Sequence, residues 1–106
     1  MTKVIFVVHK RPDMDRDEFR RYWRDVHGPL AARIPGLRKC VQNHSLPDSA
    51  SGDLPCDGIA ELWFDSPEAM RAGFASPEGA ATTADIQNFL DPDRVGEMVV
   101  EEVSVV

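Results

Sequence analysis

Tyr22-Trp23-Arg24-Asp25-Val26-His27-Gly28-Pro29-Leu30 places two aromatics, a histidine, a glycine and a proline within nine residues. Upstream of it, Asp15-Arg16-Asp17-Glu18 has the form of a helix start, with Asp15 as the cap and Glu18 three residues on. Phe19, Tyr22, Trp23, Val26 and Leu30 then recur at helical spacing as one apolar stripe. Pro29 lacks an amide hydrogen and crowds the carbonyl four residues back, that of Asp25. The expectation is a helix that kinks or stops near His27 and restarts with Pro29 in its first turn. Val26 and Leu30 are assigned to the core, and Pro35-Gly36 ends the helical region.

Outward from this helix the chain reads as strands. Val4 to His9 is β-branched and aromatic, and Pro12 closes it off. Leu37 to Leu46 is a second strand with Cys40 as a small buried residue, and Ile59 to Phe64 is a third. Residues 47–58 are all turn chemistry and read as a long, mobile hairpin loop or flap. Ser66-Pro67-Glu68 and Ser76-Pro77-Glu78 repeat one helix-start signal: a serine cap, a proline in the first turn and an acid at the positive helix end. They predict helices over Glu68 to Ala75 and Glu78 to Phe89, with Met70, Phe74, Ile86, Phe89 and Leu90 toward the core. Val95 to Val106 is read as one long final strand.

The order is strand, helix, strand, strand, helices, strand. It specifies an α+β fold, the ferredoxin-like βαββαβ arrangement with an antiparallel four-stranded sheet, over a single domain of 106 residues. The strands are apolar on both faces, whereas an antiparallel sheet with one wet face alternates. A second copy of the sheet covers the spare face most economically, which predicts a face-to-face homodimer.

Formal net charge is −6, from 12 Lys+Arg against 18 Asp+Glu, which argues against nucleic acid or an anionic membrane as a partner. The basic residues cluster before position 41 and read as a solvated helix face. No apolar run is long enough to span a bilayer or to form a signal-peptide core, so a soluble cytoplasmic protein is expected. Cys40 and Cys56 have no metal-type spacing, and His9, His27 and His44 form no short ligand pair, so no metal site is predicted. Glycine-rich nucleotide loops and a nucleophile elbow are absent from the sequence, and no cofactor is expected.

The nine-residue stretch, the later Glu61-Leu62-Trp63-Phe64 strand and the valine-rich end resemble the EthD family, within the dimeric α+β barrel superfamily. That resemblance implies a homodimer with an apolar pocket between helices and sheet. It also implies chemistry on a small hydrophobic or aromatic substrate: cofactor-independent oxidoreductase or monooxygenase-type, or proton transfer as in an isomerase or dehydratase. The alternative is a non-catalytic dimer that binds a hydrophobic ligand or serves as an accessory protein.

His27 is the leading catalytic candidate, because an imidazole moves protons near neutral pH. A histidine at a helix C-terminus is also favourable to the helix dipole on structural grounds alone. Tyr22 is its companion, a phenol able to donate to a substrate oxygen. Trp23, His44 and Trp63 are candidate substrate-binding residues, with stacking as the role of Trp63 and plain core as its bland alternative.

Overall fold

In a computed structural model, residues 1–46 and 54–106 are described. The predicted flap falls largely on 47–53, outside the described residues. Strands β1 (Thr2–Val8), β2 (Leu37–His44), β3 (Gly58–Phe64) and β4 (Gly96–Val100) form one antiparallel sheet in the order β2-β3-β1-β4. Helices α1 (Arg16–Tyr22), α2 (Gly28–Ala31), α3 (Pro67–Ala75) and α4 (Pro77–Asp85) lie on one face. This is the ferredoxin-like α+β arrangement.

The caps read from sequence are formed. Asp15 accepts from the Glu18 amide at 2.8 Å, Ser66 from Ala69 at 3.0 Å and Ser76 from Gly79 at 3.1 Å. Each satisfies an amide that the first helical turn leaves without a partner.

Between α1 and α2 the outcome differs from expectation. The helix does not stop. Trp23–His27 forms a π-turn in which the Gly28 amide bonds the carbonyl of Trp23, five residues back. Gly28 itself keeps right-handed helical angles, φ −53° and ψ −51°. The wide turn accommodates Pro29, which has no amide to give and needs room at the preceding carbonyls. Because the turn changes the helical phase, Val26 points outward and is 44% exposed rather than part of the core.

Two buried clusters fill the space under the helices. Val4, Ala31, Ile34, Leu62 and Phe64 make one; Val8, Phe19, Trp23, Phe89 and Leu90 make the other. Trp23 joins helix to sheet. Its ring lies over Gly58, where an added Cβ would come within 2.4 Å of the indole. His44 packs on the same indole at 4.4 Å and Phe19 at 5.5 Å. Only glycine at 58 lets the indole approach the strand this closely.

On the opposite sheet face three cross-strand rows are uncovered: Asn43-Ile59-Val7, Val41-Glu61-Ile5-Met98, and Lys39-Trp63-Lys3-Val100. Lys3 and Lys39 flank the Trp63 ring at 4.7 and 4.9 Å, and the Trp63 indole N–H donates to Glu102 at 2.7 Å. Two further expectations are corrected. Cys40 is exposed, because β2 is an edge strand and no neighbour lies beyond it. Regular pairing of the last strand ends at Val100, and 101–106 follow as exposed, irregular chain.

Gly58→Ala forces the Trp23 ring to move and should cost about 1–3 kcal/mol, the usual range for overpacking a filled core. A thermal melt reads this as a drop of several degrees. An unchanged melting temperature would show that the indole is not held against this strand.

Candidate active site

A cavity of about 320 Å³ lies between the sheet and the helices. This is within the range of small-molecule sites. Its floor is one cross-strand row, Gln42-Ala60-Phe6-Glu97, with Val8 and Leu62 on either side. Trp23, His27, Ala31 and Ile34 form the roof, and Thr82, Ile86 and Phe89 the wall. Most of these surfaces are carbon.

His27 is the polar group in the roof. The π-turn places it at the end of a helical segment, with its ring 4.6 Å from that of Phe89. Its Nδ1 lies 2.9 Å from Asp85 Oδ2, and the two side chains are only 13% and 9% exposed. Asp85 Oδ1 accepts from the Tyr22 hydroxyl at 2.5 Å and from Asn88 Nδ2 at 2.9 Å. Three donors thus converge on one buried carboxylate.

The protonation pattern follows from these contacts. Burial pushes the Asp85 carboxyl upward, but hydrogen bonds from Tyr22, Asn88 and His27 outweigh it and hold the group below the usual carboxylate value. Ionised Asp85 can only accept, so His27 Nδ1 carries the hydrogen and Nε2 keeps its lone pair. Burial also pushes the His27 imidazole below its ordinary value of 6.5, against the upward pull of Asp85. The hydrogen bond to Asp85, and then burial, raise the Tyr22 phenol, so it stays protonated. His27 is therefore a neutral imidazole in a fixed tautomer. Its Nε2 has no hydrogen-bond partner among the described residues and is not among their sealed, unpaired atoms.

The turn that carries His27 is itself held from the sheet. Gln42 Nε2 donates to the Trp23 carbonyl at 2.8 Å, and Gln42 Oε1 lies 2.9 Å from His44 Nε2. A Cβ on Gly28 would sit 3.2 Å from Gln42 Nε2. Glycine there leaves the amide a path to the carbonyl.

The residues singled out from sequence are distributed unevenly around this cavity. His27 and Trp23 line it. Tyr22 stands behind His27 with its hydroxyl committed to Asp85. His44 supports the Trp23 ring and Gln42, with its Nδ1 buried and unpaired. Trp63 lies on the opposite sheet face, away from the cavity. His9 follows β1, with its ring nitrogens 2.9 and 3.1 Å from the carbonyl oxygens of Arg94 and Pro55, outside the cavity lining. Asp85, Asn88 and Gln42 were missed. A signal for Asp85 existed: it shares a helical stripe with buried Thr82 and Phe89, and a carboxylate on an apolar stripe requires donors.

Among the described residues, no group of three His, Cys, Asp or Glu side chains is placed to hold a metal ion. Nor is any helix of these residues long and apolar enough to cross a membrane.

An uncharacterised 11.0 kDa protein of Rhodococcus erythropolis, from the thcB-thcC intergenic region, is 31% identical over 86 residues, which is 80% of this chain and 81% of that one. The crystal structure of an ethyl tert-butyl ether degradation (EthD) family protein from Bacillus halodurans superposes with a TM-score of 0.80 at 24% identity, covering 97% of this chain and all of that one. A dimeric ferredoxin-like protein of unknown function from Thermobifida fusca gives 0.71 at 18% identity over 93% and 88% of the two chains. SnoaB from Streptomyces nogalater, described as a cofactor-independent oxygenase, gives 0.63 at 14% identity over 99% and 93%. Residues 11–93 match the EthD domain, and this chain belongs to that family.

Proposed function

We propose that this protein is an enzyme that abstracts a proton from a small hydrophobic or aromatic substrate, with His27 Nε2 as the general base. The observation that carries the reading is the Asp85–His27 pair, which fixes the tautomer and leaves a free lone pair beside an apolar cavity. In the step, a C–H or O–H bond of the substrate breaks, the proton goes to Nε2 and the electron pair stays on the substrate as an enolate or phenolate. Asp85 stabilises the imidazolium that forms without taking its proton. Trp23 and Phe89, buried in the roof and the wall, exclude water from the cavity. His44 serves this site indirectly, through Trp23 and Gln42. The description of SnoaB, which is similar in fold, as a cofactor-independent oxygenase accords with this reading.

The functional unit in this proposal is a homodimer formed through the uncovered sheet face. Ile5, Val7, Val41, Ile59, Trp63 and Met98 put apolar side chains on that face among Lys3, Lys39 and Glu61, and a second copy of the sheet would cover them. The dimeric description of the T. fusca neighbour accords with this. Sedimentation should give a dimer at micromolar concentration, and Ile5→Asp should give a monomer; a monomeric parent protein would refute the covered-face proposal.

Deuterium exchange at C1 of 2-tetralone, an enolisable bicyclic ketone, tests the chemistry by NMR. The protein should accelerate exchange. His27→Ala should return it to the buffer rate, and Asp85→Asn should lower it by about 10²–10⁴, the usual worth of a positioned acid–base group. Binding without exchange would favour a carrier; exchange undiminished in His27→Ala would refute the base assignment.

Exchange should also fall on acidification, with a midpoint below 6.5, because burial keeps His27 neutral past the point where a free histidine protonates. Over the same window folding stability should decline as pH drops, since the unfolded chain takes up that proton first. A midpoint at or above 6.5 in the pH–rate profile would contradict the buried, neutral imidazole.

A further inference from the structure

Two polar side chains end the row that floors the cavity, Gln42 on β2 and Glu97 on β4. Between them lie only Ala60 and Phe6. The ends differ in chemistry. Gln42 is spent on the protein, its amide nitrogen on the Trp23 carbonyl and its oxygen on His44. Glu97 is exposed, lines the cavity and has no hydrogen bond or ion pair among the described residues. The ends are three strand spacings apart, about 14 Å between backbones. Gly28, next to His27, sits over the Gln42 end, where an added Cβ would lie 3.2 Å from Gln42 Nε2. The backbone that presents the base is therefore at one end of the row and the carboxylate at the other.

Charge sharpens the contrast. Cys40 also lines the cavity; although the residue as a whole is exposed, desolvation at the cavity wall raises its thiol, which stays neutral. Thr82 is spent on the carbonyl of Glu78. Of the lining side chains, Glu97 is the one that brings an uncommitted negative charge.

We propose that Glu97 is a specificity-determining residue: it accepts a hydrogen bond from a hydroxyl or amine at the end of the substrate remote from the carbon that His27 deprotonates. The substrate class is then a flat, neutral or cationic molecule with an acidic C–H or phenol at one end and a donor at the other. A molecule with a carboxylate at the remote end is rejected by repulsion. This rests on the cavity being the substrate site, as argued above, but not on turnover.

Calorimetric titration with 6-hydroxy-2-tetralone and 6-methoxy-2-tetralone tests it. The two probes share a ring system and differ in one donor hydrogen. The parent protein should bind the hydroxy compound roughly tenfold more tightly, the lower end for a hydrogen bond to a charged group. Glu97→Leu should abolish that preference and Glu97→Gln reduce it, read as the ratio of the two affinities within each variant, and an unchanged melting temperature shows that the fold is intact. In the exchange assay the loss should appear in KM and not in kcat. Equal binding of both probes by the parent protein, a preference that survives Glu97→Leu, or no binding of either probe would each overturn the assignment. Binding is read without turnover, so a failure of the His27 chemistry leaves this result separately legible.

Discussion

Pro29 imposes the constraint from which the site follows. A proline inside a helix withholds one amide and crowds the carbonyls behind it. Here the backbone answers by widening to a π-turn over Trp23–His27 instead of breaking. The widened turn turns Val26 outward, keeps Trp23 in the core and brings His27 to Asp85. Gln42 and Gly28 hold the arrangement from the sheet side, one by donating to the Trp23 carbonyl and the other by having no side chain in the way.

The buried carboxylate is the electrostatic counterpart of that constraint. An ionised Asp85 without partners would be expensive to bury. Tyr22, Asn88 and His27 make it acceptable, and the same three bonds decide the tautomer of the imidazole. Stability and chemistry are thus drawn from one set of contacts. Tyr22 is bound into this set as a support for Asp85, which differs from the substrate-facing role that its position beside Trp23 suggests.

Much of the fold was legible in the sequence. Asp15, Ser66 and Ser76 announced three helix starts by cap chemistry that acts within a single turn. The apolar strands gave the sheet, and their two-sided character gave the uncovered face. Less could be read of the site. His27 and Trp23 lie in a stretch that stands out locally, but Asp85 meets His27 across 58 residues of chain. Nothing within a helical window encodes such a contact. Trp63 was ambiguous because both faces of β3 are apolar, and alternation cannot say which is covered by helices. The π-turn was hidden for a related reason: a proline inside a helical stripe has several backbone solutions, and the choice lies with Gln42 on a distant strand.

The stretch after β4 has a bearing on solubility. Val103, Val105 and Val106 are 75% or more exposed, and the strand that they follow is at the edge of the sheet. A β-branched segment beside an open edge is a template for adventitious strand addition between molecules. Glu101 and Glu102 interrupt the valines, and charges at such places act as gatekeepers against stacking. Acidification below the carboxylate range would remove that protection and leave residues 101–106 open to strand pairing between molecules.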